Sequence, residues 1–190
     1  MTSKTRPLIV GLGGTVRPGS SSERALVKAL ETAAAAGART ELFGGAFLAD
    51  LPIYNPHAPF EGAEMTRFLA VVSAADGVIV ATPGYHGSIS GVIKNALDSL
   101  EGLRGDPRPY FDGRAVGCIV SAGGAQAAGS TLAALRSIIH ALRGWPTPFG
   151  AALGAGGLFD DSGAFVDPKD AWQVETVAQQ VVDFATRWMA

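Results

Sequence analysis

Two periodicities alternate along the chain. Short apolar runs with no polar face, Leu8-Ile-Val-Gly-Leu12, Gly77-Val-Ile-Val-Ala-Thr82 and Arg114 to Ser121, read as strands covered on both sides. Thr40-Glu-Leu-Phe43 and Trp145 to Leu153 add two more. Between them apolar residues recur at helical spacing: Ser21 to Ala36, Gly62 to Ala75, Ser130 to Leu142 and Pro168 to Trp188. After the Gly77 strand, Ile89, Val92, Ile93, Ala96, Leu97 and Leu100 mark one further helix. A Pro-rich loop runs from Leu51 to Pro59. Alternating strands and helices predict an α/β fold, a five-stranded parallel sheet wound on both faces. With no repeat, linker or composition break, residues 1–190 are expected to form a single domain.

Ligands of such sheets bind outside the carboxyl ends of the strands, so the loops that follow strands carry the chemistry. The first is Gly13-Gly-Thr-Val-Arg-Pro-Gly-Ser-Ser-Ser-Glu23. It offers hydroxyls at Thr15, Ser20, Ser21 and Ser22, the Arg17 guanidinium and the amino end of a helix, a combination suited to a phosphate monoester. Ser20 and Glu23 also spell a capping box, which needs no ligand, but capping alone calls for neither an arginine nor extra hydroxyls. After the third strand, Pro83, Gly84, Tyr85, His86, Gly87 and Ser88 give a bent backbone with little bulk and one aromatic ring. That arrangement suits a flat ligand, and it also suits an ordinary turn punctuated by Pro and Gly. Ser121-Ala-Gly-Gly-Ala-Gln-Ala-Ala-Gly-Ser130 is a third glycine-rich bend, with bare backbone at Gly123 and Gly124, and on its own it reads better as packing punctuation than as a ligand loop. Three such loops on one edge outline one pocket.

A dinucleotide-binding fingerprint is absent: Gly11 and Gly13 match, but Val16 holds the third glycine position and the second strand ends at Phe43-Gly44 without a carboxylate. No Gly-Lys-Ser/Thr occurs, which removes a Walker loop. Apolar residues make up 47% and charged residues 17% of the 190, the balance of a compact globule. A net charge of -2 gives no footprint for nucleic acid. No apolar stretch reaches membrane-spanning length, and the opening residues carry no signal-peptide core, so a cytoplasmic protein is expected. The single cysteine, Cys118, lies in an apolar run and reads as a small buried hydrophobe. One thiol cannot hold an iron–sulfur cluster.

These loops resemble the NAD(P)H-dependent FMN reductase family, which has a flavodoxin-like fold. The family's Gly-Ser-x-Arg-x-x-Ser-x-Asn is matched by Gly14 to Ser22, with Thr15 for Ser and Ser22 for Asn. Its Thr-Pro-Glu-Tyr-Asn-x-Ser-x-Pro-Gly-x-x-Lys-Asn-x-x-Asp resembles Thr82 to Asp98, with Gly84 for Glu, His86 for Asn and Ser90 for Pro. The likeness spans about residues 7 to 150 and takes in the glycine-rich third loop and the Leu132 to Arg136 helix. It implies FMN and NAD(P)H as cofactors and a three-layer sandwich with strand order 2-1-3-4-5. By it, the FMN phosphate falls to Thr15, Arg17, Ser20 and Ser22. The ring falls to Pro83, Gly84, Tyr85, His86 and Gly87, with Ser121, Gly123 and Gly124 in the loop at its pyrimidine edge. Family members are dimers or tetramers, and the helix bearing Lys94 and Asp98 often packs between subunits. Those two residues are also an i,i+4 pair within their own helix.

The implied chemistry is the cofactor's: the nicotinamide stacks on the open flavin face, delivers hydride to N5 and leaves, and a flavin, a quinone or another small oxidant follows it. Such a ping-pong scheme needs no side-chain acid or base, and no triad is visible. His86 is expected as a solvent-facing turn histidine. His57 and His140 lie apart, so no metal cluster is expected, and Arg104 and Arg108 read as solvated loop arginines. A flavin-dependent monooxygenase is one candidate partner. The competing reading is a flavodoxin-type electron carrier without pyridine-nucleotide oxidation, disfavoured by Arg17 and the mild net charge.

Overall fold

The computed structural model describes residues 6–57 and 61–188. Ala58 and Pro59, the end of the Pro-rich loop, therefore lie outside the described residues. The chain runs β1 (Leu8–Gly13), α1 (Ser21–Ala35), β2 (Arg39–Phe43), α2 (Gly45–Asp50), α3 (Ala63–Ala74), β3 (Gly77–Tyr85), β4 (Ser88–Ile89) and α4 (Gly91–Ser99). A 3₁₀ turn (Leu100–Leu103) follows, then β5 (Ala115–Ala122), α5 (Ala125–Ala141), β6 (Trp145–Pro146), β7 (Ala151–Gly154) and α6 (Pro168–Trp188).

The parallel strands lie in the order β2-β1-β3-β5-β6, with β7 also beside β5. Because β6 and β7 together are the expected fifth strand, this is the expected 2-1-3-4-5 arrangement. That strand is broken because Pro146 and Pro148 lack the N–H a continuous ladder needs. Thr147 bridges the gap by donating its N–H to Val116 O at 3.0 Å. The outer edge is finished by α6: Gln180 Oε1 accepts the Phe149 N–H at 3.0 Å and Gln173 Oε1 the Ala152 N–H at 3.3 Å.

Side-chain alternation divides the core between the two faces. Val10, Val78, Val80, Val116 and Val120 pack with Phe68 and Val72 of α3, Ile93 and Leu97 of α4, and Leu135 and Ile139 of α5. Ile9, Ile79, Ala81 and Ile119 face the other way, against Leu26 of α1 and Val174, Val177 and Val181 of α6. The result is a helix–sheet–helix sandwich. Cys118 is fully buried, as expected, and burial pushes its thiol up to about 12.

Three elements depart from the sequence expectations. β3 continues through Pro83, Gly84 and Tyr85 instead of stopping at Thr82, because the chain folds back at once and pairs Gly84 with Ile89 and Tyr85 with Ser88. α5 starts at Ala125, not Ser130, so only Gly123 and Gly124 remain of the ten-residue bend; Ala125, Gln126, Ala127 and Ala128 are sound helix formers. The short α2 was not expected, since six residues are too few to show a helical period.

At the foot of the sheet, Arg114 is completely buried. Its guanidinium donates to Ala75 O at 2.8 Å, to Ser73 O, to Tyr110 O at 3.0 Å and to Asp112 O at 3.3 Å. It thereby closes the carboxyl end of α3 against the turn before β5. Burial draws its pKa down from 12.5 to about 10, which leaves it charged at physiological pH.

Candidate functional site

The order β2-β1-β3 places a topological switch between β1 and β3, where the loops leave the sheet in opposite directions. A cleft of about 500 Å³ opens there. One wall is the β1–α1 loop: Thr15, Val16, Arg17, Ser20, Ser21 and Ser22. Another is the end of β3 with the start of α4: Pro83, Gly84, Tyr85, Ser90, Gly91 and Val92. The end of β5 gives Ser121, Ala122 and Gly123, and Ala155 follows β7.

The β1–α1 loop is shaped by its own hydroxyls. Thr15 Oγ1 accepts the Arg17 N–H at 3.1 Å and lies 3.2 Å from Arg17 O, to which it donates, closing a small side-chain turn. Ser20 caps α1, accepting the Glu23 N–H at 3.3 Å, and its Oγ lies 3.4 Å from Ser22 Oγ. Both serines are buried and both line the cleft. Ser21 Oγ donates to Ala155 O at 3.2 Å and ties the loop to the segment after β7. The Arg17 guanidinium has no hydrogen-bond or ion-pair partner among the described residues. With the amino end of α1 beside them, where the helix dipole favours negative charge, these groups make a wall built to take an anion.

The opposite wall is rigid. Tyr85 and Ser88 are joined by a two-residue turn, His86 at φ 50° and Gly87 at φ 87°, the left-handed pair that a tight hairpin demands. Thr82 Oγ1 accepts the Ser90 N–H at 3.1 Å and donates to Pro83 O at 3.0 Å, and Ser90 Oγ caps α4 by accepting the Ile93 N–H at 3.3 Å. Gly84 leaves almost no room behind it: a Cβ there would lie 2.9 Å from Ala122 Cβ and 3.0 Å from Thr131 Oγ1. Gly91 and Gly123, by contrast, border open space.

Of the residues singled out in the sequence, Thr15, Arg17, Ser20, Ser22, Pro83, Gly84, Tyr85, Ser121 and Gly123 converge on this cleft. His86 and Gly87 stand at the hairpin tip and Gly124 at the start of α5, all outside its lining. Ser90, Gly91 and Val92 line it without having been singled out, as does Ala155. Ser90 was legible as a helix cap; Ala155 was not, since it is a lone small residue just past the fifth strand with no side-chain chemistry to mark it. Lys94 pairs with Asp98 at 2.6 Å within α4, as the spacing implied. Arg104, exposed, pairs with Glu101 at 3.0 Å, and Arg108, half-buried, reaches carbonyls of its own loop; neither lines the cleft. Among the described residues no helix is long and apolar enough to cross a membrane.

The arrangement fits FMN on its own terms: buried hydroxyls and an unpaired guanidinium for a phosphate, and exposed backbone with one aromatic ring for a flat heterocycle. Its volume lies within the range of cofactor clefts. Comparison with known proteins leads to the same place. The chain is 43% identical over 75 residues to an FMN-dependent NADPH-azoreductase of Staphylococcus aureus, a match covering 40% of this chain and 36% of that protein. The match thus spans about a third of the length of these curated relatives. Among solved structures, the flavoenzyme NAD(P)H:(acceptor) oxidoreductase of Paracoccus denitrificans superposes with a TM-score of 0.72 at 23% identity, covering 95% of this chain and 98% of that one. A WrbA-like flavodoxin of Agrobacterium tumefaciens does so with 0.63 at 16% identity, covering 95% and 97%. At those identities the structures establish the fold, which is flavodoxin-like. The profile of the family described as NADPH-dependent FMN reductase matches residues 7–156, and the chain therefore belongs to that family of FMN- and NADPH-using oxidoreductases.

Proposed function

We propose that this chain oxidises NAD(P)H on a bound FMN and reduces a free flavin or a quinone, the two substrates visiting the cleft in turn. The observation that carries this reading is the meeting of three strand-end loops in one cleft, anion-binding on one side and bare backbone on the other. When bound, FMN supplies the two-electron chemistry, taking hydride from the nicotinamide and yielding it to the acceptor.

The protein's part is to bind and to orient. Ser20, Ser22 and Arg17 take the phosphate at the amino end of α1. Thr15, whose hydroxyl is turned onto Arg17, fixes the loop that presents them. Pro83, Gly84 and Tyr85 form the surface for the ring, held by the Thr82–Ser90 hydrogen bond behind them. His86 and Gly87 set the angle of that surface as the hairpin turn. Ser121 and Gly123 offer main-chain groups at the far rim. The buried Cys118 thiol, held up near 12, supplies no nucleophile. A single cleft shared by both substrates supports departure of the first before arrival of the second.

The test is anaerobic mixing of the FMN-loaded protein with NADPH. The yellow colour should bleach and return on adding a quinone or free FMN, and initial rates over both substrates should give parallel double-reciprocal lines. Intersecting lines would exclude the alternating scheme. Colour that persists with NADPH would leave an electron carrier instead. Azo dyes belong in the acceptor scan, because the Staphylococcus relative is an azoreductase.

A further inference from the structure

Glu23 does something a capping residue does not. In a capping box its carboxylate would reach back to the N–H of the cap residue Ser20. Here it passes Ser20 and divides: Oε2 accepts the Gly19 N–H at 3.2 Å, and Oε1 accepts the Gly45 N–H at 3.2 Å. Gly19 stands in the β1–α1 loop just before the cap, and Gly45 opens α2 on the next crossover. One carboxylate therefore joins two segments far apart in sequence.

The second segment presses on the same loop. A Cβ on Gly45 would sit 2.0 Å from Thr15 O and 2.6 Å from Thr15 N, so the two main chains touch. The space the carboxylate occupies is cleared by a neighbouring glycine, since a Cβ on Gly44 would lie 2.6 Å from Glu23 Oε1. The Thr15 leg of the loop thus rests on α2 while Glu23 ties the Gly19 leg to it, and both legs share one reference point. On the cleft side Val16 is 65% exposed and the Arg17 guanidinium has no partner among the described residues. Glu23 does not line the cleft; it borders a separate surface groove with Arg24 and Lys28. Its charge is taken up by two amides behind the wall that receives an anion.

We infer that Glu23 is a positioning residue that sets how strongly the cleft prefers a phosphorylated flavin to its dephosphorylated form. The inference rests on the reading of the β1–α1 loop as the FMN phosphate site. Without the tether the hydroxyls and first-turn amides lose their fixed spacing, which costs the phosphate and not the ring, because the ring's wall comes from β3 and β5.

The experiment titrates apoprotein with FMN and, separately, with riboflavin, following flavin fluorescence, for the wild type, Glu23→Gln, Glu23→Asp and Arg17→Ala. Gln keeps the shape but cannot accept two N–H groups; Asp keeps the charge but is a methylene short of spanning both. Each variant at Glu23 should weaken FMN about tenfold, the scale of one charge-assisted hydrogen bond, and leave riboflavin affinity as it was. Thermal midpoints of the apoproteins are read alongside, and if Glu23→Gln does not fold, the Asp variant carries the comparison. Equal weakening of both flavins, or undiminished FMN binding, overturns the inference. If the wild type holds riboflavin as tightly as FMN and Arg17→Ala changes nothing, the phosphate reading itself fails and takes this one with it.

Discussion

Replacing Arg114 by methionine removes a buried cation but keeps most of its length, and the structure indicates what this should cost. Four carbonyl oxygens lose a donor. Those of Tyr110 and Asp112 lie in a surface turn and can recover a water. Those of Ser73 and Ala75, at the carboxyl end of α3, cannot be reached by intrahelical N–H groups and are left without a partner. Each buried orphan costs about 1–3 kcal/mol, so the two together cost about 2–6 kcal/mol. Methionine escapes the desolvation that draws the arginine pKa down to about 10, and this offsets part of the loss. After that offset a net destabilisation of about 1–4 kcal/mol is expected. For a chain of this length that lowers the thermal midpoint by roughly 5–10 °C. Urea unfolding followed by far-UV circular dichroism measures it directly, and Arg114→Lys should lie between, since an ammonium group cannot reach all four carbonyls. A change below about 1 kcal/mol for Arg114→Met would show that the carbonyls rehydrate and that the buried guanidinium is dispensable.

Three further outcomes are expected. Arg17→Ala should weaken FMN binding by about 1.5–3 kcal/mol, the scale of a charge-assisted hydrogen bond, with thermal stability of the apoprotein unchanged because that guanidinium makes no internal bond among the described residues; fluorescence titration reads the first and calorimetry the second. Thr131 Oγ1 is buried with no hydrogen-bond partner among the described residues, so Thr131→Val should stabilise the fold by about 1 kcal/mol in a urea titration, and a destabilised variant would point to a bound water there. Cys118 has a folded-state pKa raised from 9.0 to about 12 by burial, so its neutral thiol favours the fold below pH 9 and that contribution is lost as pH rises towards 12; wild type should lose stability relative to Cys118→Ala across that window, and its thiol should react with a coloured disulfide reagent only on unfolding.

Much of the sheet and its order was legible because parallel strands covered on both faces write unbroken apolar runs, and β1, β3 and β5 do so. The convergence of the first and third loops followed from topology alone. What escaped was set by contacts distant in sequence. Strand pairing with Ser88 and Ile89 carried β3 through Pro83, a residue that locally signals a turn. Alanines that could have been loop or helix became the first turn of α5. Nothing in the order of residues announced that Glu23 would bind Gly45, or that Arg114, a charged residue beside a strand, would be enclosed completely. Such side chains are read outward by default, and only the third dimension supplies the carbonyls that bring them in.

The glutamines of α6 that accept the Phe149 and Ala152 N–H groups have a consequence beyond one molecule. An open flank of a β-layer invites a neighbour to extend it and is the usual starting point for fibre growth. With those donors already engaged two helical turns apart on a single rod, a crowding neighbour finds no template there, and association is left to side-chain surfaces instead.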